Sequence, residues 1–109
     1  MPFDPGLVAR VADQMLQLGE HAVRQKNVFG GRGFLSGKSA FVIVWDDALI
    51  VKTSPAEYAA ALREAFVTPF APDGERPMST WVVVGGDAIA DDPELTDWIR
   101  RGLRGIHRG

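Results

Sequence analysis

A chain of 109 residues is long enough for one domain with one core, and 46% hydrophobic with 24% charged residues is the balance of an ordinary globular protein. The formal net charge of −2 gives no general pull toward nucleic acid or an anionic membrane. The absence of cysteine removes a disulfide framework, thiolate metal ligands and a cysteine nucleophile together.

In chain order, Met1-Pro2-Phe3-Asp4 lacks the basic-then-apolar pattern of a signal peptide, and no apolar run approaches the ~20 residues of a membrane span. A cytoplasmic single domain over residues 1–109, without a membrane partner, is the expectation. Asp4 is a fit N-cap and Pro5 takes the first helical position, where a missing N–H costs nothing. Leu7, Val8, Val11, Met15 and Leu18 then recur at helical spacing, and Gly19 stops the helix. Glu20 to Lys26 is polar apart from Ala22 and Val23 and reads as a connection.

The stretch Asn27 to Thr53 reads as a three-stranded meander. Its first strand is the glycine-rich Asn27-Val28-Phe29-Gly30-Gly31-Arg32-Gly33-Phe34-Leu35; the next two are Ala40–Trp45 and Ala48–Val51, with turns at Ser36-Gly37 and Asp46-Asp47. Glycines at 30, 31 and 33 weaken a strand unless the backbone bends, bulges or is closely approached. Two accounts follow: a bulged, bent first strand, or close approach by a partner chain or ligand with Arg32 as the polar handle.

Ser54-Pro55-Ala56-Glu57 combines a capping serine, an N-terminal proline and a glutamate three residues on, and predicts a second helix with Tyr58, Ala61, Leu62 and Ala65 on one face. Val67–Phe70 contains Pro69, so it is a short or edge strand, and Ala71–Pro77 is a loop or hairpin turn. Ser79–Val84 is the fifth strand, ended by Gly85-Gly86. Asp91-Asp92-Pro93-Glu94 opens the last helix, whose apolar face is Leu95, Trp98, Ile99, Leu103 and Ile106. Gly102 and Gly105 each weaken that helix by about 1 kcal/mol relative to alanine, which predicts a fraying end.

The order α-β-β-β-α-β-β-α is an α+β fold, an antiparallel sheet with flanking helices. The strands at 40–45, 48–51 and 81–84 are apolar at nearly every position, as expected of a sheet covered on both faces. Either the helices are split between the faces, or a second copy of the chain covers one of them, which makes a homodimer the expectation.

Chemistry is sparse. Gly37-Lys38-Ser39 resembles the end of a phosphate-binding loop, but Arg32 stands where the loop needs its first glycine, and a strand follows where a helix is required. Asp46 after the apolar run is accounted for as a turn residue. His21 and His107 have no metal-ligand spacing, the acidic clusters fall at turns or a helix start, and Ser36, Ser39 and Ser79 have no base at a recognisable spacing. No catalytic residue, cofactor or metal site is therefore expected, and the chain is not read as an enzyme.

Arg100, Arg101, Arg104, His107 and Arg108 make the C-terminus basic, which complements the helix dipole. To contact phosphate or nucleic acid, these arginines must converge with Arg32, Lys38 or Lys52. Phe29, Gly30, Gly31, Arg32, Gly33 and Trp45 are the candidate interaction residues. Trp45 beside its turn is expected to be partly exposed, Trp81 and Trp98 to be core.

Three ordered motifs resemble one family. Val28-Phe29-Gly30-Gly31-Arg32-Gly33-Phe34-Leu35-Ser36-Gly37-Lys38 looks like the Met-Phe-Gly-Gly opening of the TfoX/Sxy N-terminal domain, with Val28 where methionine is usual. Arg76-Pro77-Met78-Ser79-Thr80-Trp81-Val82-Val83 resembles its Arg-Pro-Met…Trp-Val strand, and Asp91-Asp92-Pro93-Glu94-Leu95 through Trp98-Ile99-Arg100-Arg101-Gly102-Leu103 is similar to its closing helix. Asp47 stands where the family's turn often has glycine, so that hairpin is expected to be strained.

The resemblance implies a secretion-chaperone-like α+β fold, a bacterial cytoplasmic setting and, in full-length relatives with a second helical C-terminal domain, regulation of competence genes for DNA uptake. The present chain is expected to correspond to the N-terminal domain standing alone. The function expected is a small non-enzymatic regulatory or adaptor module acting through protein–protein contact, as a homodimer with an unidentified protein partner. The alternative is a nucleic-acid-binding accessory factor using the arginine-rich C-terminal helix. A third, an enzyme or small-ligand binder, requires a concave pocket with convergent polar groups.

Overall fold

Asp4 and Pro5 start helix α1 (Pro5–Gln17) in the computed structural model, which describes residues 3–106: the Asp4 carboxylate accepts the Gly6 N–H at 2.9 Å. Leu7, Val11 and Met15 are buried on its inner side, and Gly19 turns the chain away at φ 78°. Six strands follow: β1 (Val23–Val28), β2 (Gly31–Ser36), β3 (Ser39–Trp45), β4 (Ala48–Lys52), β5 (Val67–Pro69) and β6 (Trp81–Val84). Helix α2 (Pro55–Ala61) lies between β4 and β5, and α3 (Asp92–Ile106) follows β6 after one 3-10 turn, Gly86–Ile89. The fold is α+β, with one antiparallel sheet in the order β1-β2-β3-β4-β6-β5. No helix among the described residues is long and apolar enough to cross a membrane.

The element order differs from the sequence expectation by one strand. Val23–Val28 is not a connection but the edge strand β1, paired along its length with β2. Its interior residues, Arg24 to Asn27, are exposed, so backbone pairing rather than side-chain burial defines it, and no apolar pattern marks it. The single glycine-rich strand is thus two strands, with Phe29-Gly30 as their turn. Other boundaries also move. Helix α2 stops at Ala61 with Leu62 as its C-cap, leaving Ala65 exposed. The left-handed residue of the β3–β4 turn is Asp46, at φ 56°, rather than Asp47. Proline confines β5 to the far edge of the sheet, as its sequence requires.

Register explains why the central strands do not alternate in hydropathy. Phe34, Val42, Val51 and Val82 stand in one row across the sheet, and Val44, Leu49 and Val84 in another; both rows face the helices. An irregularity beside Phe34/Leu35 adds Phe41 to the same core. Between these rows, Gly33, Ile43, Ile50 and Val83 form a row on the opposite face. The buried parts of all three helices join the first cluster, so the helices are not split between the faces. The second face is closed by the chain itself: Phe70, at the end of β5, packs on Ile43 and Ile50, with Val28, Met78, Trp81 and Val83 around it. Neither of the two expected covers is needed to bury Ile43 and Ile50.

The glycines of α3 have a different role from the one propensity suggests. Gly102 is buried, and a Cβ there would stand 2.7 Å from the Phe41 carbonyl oxygen and 3.0 Å from Val42 Cγ1. A Cβ on Gly105 would overlap the Lys52 carbonyl oxygen. Their missing side chains let α3 lie directly on the backbones of β3 and β4, and the helix runs through both glycines to Ile106 rather than fraying at them. Trp98 is core as expected, whereas Trp81 is half-buried.

Candidate functional site

Val28 pairs with Gly31, so Phe29 and Gly30 form a two-residue turn, with φ 53° and 79°. Positive φ at both positions is type I′ geometry, which favours Asn-Gly; a phenylalanine in the left-handed region costs about 1 kcal/mol or more. The strained ring is 51% exposed at the hairpin tip and meets Phe70 edge-on, 5.5 Å between centroids. Trp45, 40% exposed, meets the same Phe70 ring at 6.1 Å. Beside the three rings runs a groove of about 350 Å³, walled further by Thr68, Pro69, Pro72 and Val83 and containing no charged side chain. Phe29 and Trp45 are therefore brought together, through a residue that sequence reasoning did not single out. The local signal was Pro69-Phe70-Ala71-Pro72, an aromatic ring between prolines at the end of an edge strand.

The rest of that candidate set stays within the fold. Arg32 shares the helix-facing side of the sheet with Val44 and donates from Nε to Gln25 Oε1 and from Nη1 to Asn27 Oδ1, both at 3.0 Å. It is a tie between β1 and β2. A Cβ on Gly31 would overlap the Val44 carbonyl oxygen, and one on Gly33 would come within 2.8 Å of Val28 Cγ2, so the close approach is made by the chain's own neighbouring strands.

The C-terminal arginines face different surroundings. Arg101 stacks 4.0 Å from the Trp98 ring centre and is paired with Glu64 and Asp97. Arg104 grips Glu57 through Nη2–Oε1 at 2.8 Å and Nε–Oε2 at 3.1 Å, tying α3 to α2. Arg100 lies exposed beside Gln14, Gln17 and Asp92 in the groove between α1 and α3. His107 and Arg108 lie outside the described residues. Of the required convergences, Arg104 meets Lys52 at one cleft, while Lys38 sits exposed in the β2–β3 turn and Arg32 is held by β1.

The Arg104 guanidinium holds the Glu57 carboxyl below the usual glutamate range; partial burial opposes this and the Ser54 hydroxyl adds to it. A carboxyl whose folded pKa is depressed contributes stability above its unfolded pKa and loses it as pH falls through the folded value. Thermal melts of the wild type are accordingly expected to lose slightly more stability than Glu57→Gln as pH falls from about 5 to about 3, by less than about 1 kcal/mol for so exposed a pair. Parallel melting curves for the two proteins across that range would refute a contribution from this pair.

The cleft itself lies between the ends of β3 and β4, the start of α2, the residues before β6 and the last turn of α3. Its volume is about 680 Å³, and Ser39, Lys52, Ser54, Ser79, Thr80 and Arg104 supply its polar wall. Lys52 Nζ donates to Ser79 Oγ at 3.1 Å and stands 5.9 Å from the Trp81 ring centre. Below it, buried Thr53 donates to the Thr80 carbonyl at 2.7 Å while Thr80 donates back to the Thr53 carbonyl, fixing the end of β4 against the approach to β6. Gly37-Lys38 turns between two strands with no helix behind it. Among the described residues, no group of three histidine, aspartate or glutamate side chains is placed to hold a metal ion.

Compared with known families, residues 13–106 match the family model described as TfoX N-terminal domain, nearly the whole chain. No curated protein matches the chain, and no solved structure does.

Proposed function

The chain belongs to the TfoX N-terminal domain family, and on that premise we propose that it is a non-enzymatic regulatory module that acts by protein–protein contact and pairs with a second copy of itself through the aromatic patch. The observation that carries this reading is the convergence of Phe29 and Trp45 on Phe70, with two large rings left partly in water and one of them in a strained backbone conformation. A second copy suits the patch for two reasons. The Phe29 tip is a knob beside a groove, and a two-fold axis sets each knob opposite the partner's groove. The lining is also uncharged, so two identical surfaces meet without like-charge repulsion. The family supports a regulatory setting inside the cell, the competence-linked control that the resemblance implies.

Light scattering on the purified chain at micromolar concentration tests the pairing. The expected mass is twice the 11.9 kDa of one chain. Phe29→Asn relieves the left-handed strain while removing the ring, so it is expected to stay within about 1 kcal/mol of wild-type stability and yet run as a monomer. A wild-type mass of one chain, or a Phe29→Asn variant that still dimerises, would overturn the reading.

A further inference from the structure

The polar cleft carries a separate inference, independent of the self-association proposed above. Lys52, half-buried at the end of β4, has its ammonium matched by a hydroxyl rather than by a carboxylate. Its ammonium has three donors, one of which goes to Ser79 Oγ. Among the described residues no carboxylate lies within ion-pair distance of it. Ser79 holds a left-handed φ of 50°, a conformation that strains a serine, while its hydroxyl contacts Lys52.

The opposite wall is fixed by α3. Because Gly105 has no side chain, the last turn comes down on Lys52, whose Cγ lies 3.1 Å from where a Cβ on Gly105 would be. That contact sets the preceding Arg104 at the cleft. Glu57 takes Nε and Nη2 of Arg104, and Nη1 has no partner among the described residues. The exposed Ser39 hydroxyl completes the wall. Two cations against one carboxylate leave the cleft with a surplus positive charge and donors of Lys52 and Arg104 open to solvent.

We propose that this cleft binds a phosphate monoester, the phosphoryl group of a small phosphorylated metabolite. Lys52 Nζ, the hydroxyls of Ser39 and Ser79 and the outward N–H groups of Arg104 meet its oxygens. A phosphoryl dianion presents three oxygens in different directions and so suits donors arranged around a cleft, whereas a carboxylate presents two in one plane. The volume of about 680 Å³ is within the range of small-molecule sites and leaves room for a body of nucleoside size.

Amide-resolved NMR titration of the full chain in phosphate-free buffer tests this, with inorganic phosphate and then adenosine monophosphate as probes. Saturable shifts are expected at Ser39, Lys52, Ser79 and Thr80, with the nucleotide binding about tenfold more tightly than phosphate. Lys52→Met keeps the stem against Gly105 and removes the charge; it is expected to weaken both probes about tenfold or more, whereas Lys52→Arg retains binding. Ser79→Gly removes the hydroxyl and relieves the backbone strain, so a loss of about threefold is expected from a variant that folds at least as well. The proposal is overturned by the absence of saturable shifts at about 20 mM phosphate. It is equally overturned if Lys38→Met, outside the cleft wall, weakens binding as much as Lys52→Met, or if a short single-stranded DNA binds more tightly than the nucleotide.

Discussion

Gly102→Ala is expected to lower the stability of the fold by about 2–3 kcal/mol, opposite in sign to the gain of up to about 1 kcal/mol that helix propensity assigns to the same change. The added methyl would stand 2.7 Å from the Phe41 carbonyl oxygen, a backbone atom of a central strand that cannot swing aside. Relief requires α3 to lift from the sheet, which loosens Leu95, Trp98 and Ile99 from the core. In a domain of this size the midpoint of thermal unfolding should fall by about 10 °C or more. Gly105→Ala meets a still closer backbone atom, Lys52 O, but it lies in the last turn, so local unwinding can limit its cost. A Gly102→Ala protein as stable as wild type, or more so, would return the glycine to the role of a helix weakener and refute the close packing of α3 on β3.

Phe70→Ala is expected to cost about 3–5 kcal/mol, the range for truncating a buried phenylalanine. Phe70 is only 4% exposed although no helix covers it, and it roofs Ile43 and Ile50 on the side of the sheet away from the helices. Phe29 and Trp45 also meet its ring in T-shaped contacts, so the truncation removes the shared centre of the aromatic patch as well. Denaturant unfolding of Phe70→Ala, with light scattering under native conditions, reads both consequences. A loss below about 1 kcal/mol would mean that something other than Phe70 seals the second face.

Much of the fold was legible because local chemistry and tertiary context agree. Asp4-Pro5 and Ser54-Pro55-Ala56-Glu57 satisfy helix N-termini from within their own segments, the latter with Glu57 N–H donating to Ser54 Oγ at 3.3 Å. The apolar runs at 40–45, 48–51 and 81–84 announced strands covered on both faces; Ile43 and Ile50 are buried on the second face, while Trp81 and Val83 are half-buried there and Trp45 is exposed. What covers the second face was not legible, because Phe70 ends a proline-containing segment that reads only as a short or edge strand, and its burial depends on a sheet made largely elsewhere in the chain. Strand β1 was illegible for the converse reason: Arg24, Gln25, Lys26 and Asn27 are exposed, and only their backbone pairing with β2 makes them a strand.

The candidate site divides in the same way. Trp45 stood out because it adjoins a turn, and Phe29 because it belongs to the glycine-rich stretch; that both meet one Phe70 ring is a long-range contact with no local sign. The C-terminal arginines read as one basic terminus, yet Arg104 is tied to Glu57 of α2, and Arg101 to Glu64 after α2 and to Asp97 within α3. Helix starts, apolar strands, the lack of thiol chemistry and the family motifs could be read along the chain, since each depends on residues a few positions apart. The roof over Ile43 and Ile50, the need for glycine at 102 and the meeting of Lys52 with Ser79 and Arg104 emerge only from packing. Each of those brings together groups far apart in the chain, and which groups meet depends on how the sheet and helices pack rather than on any local preference.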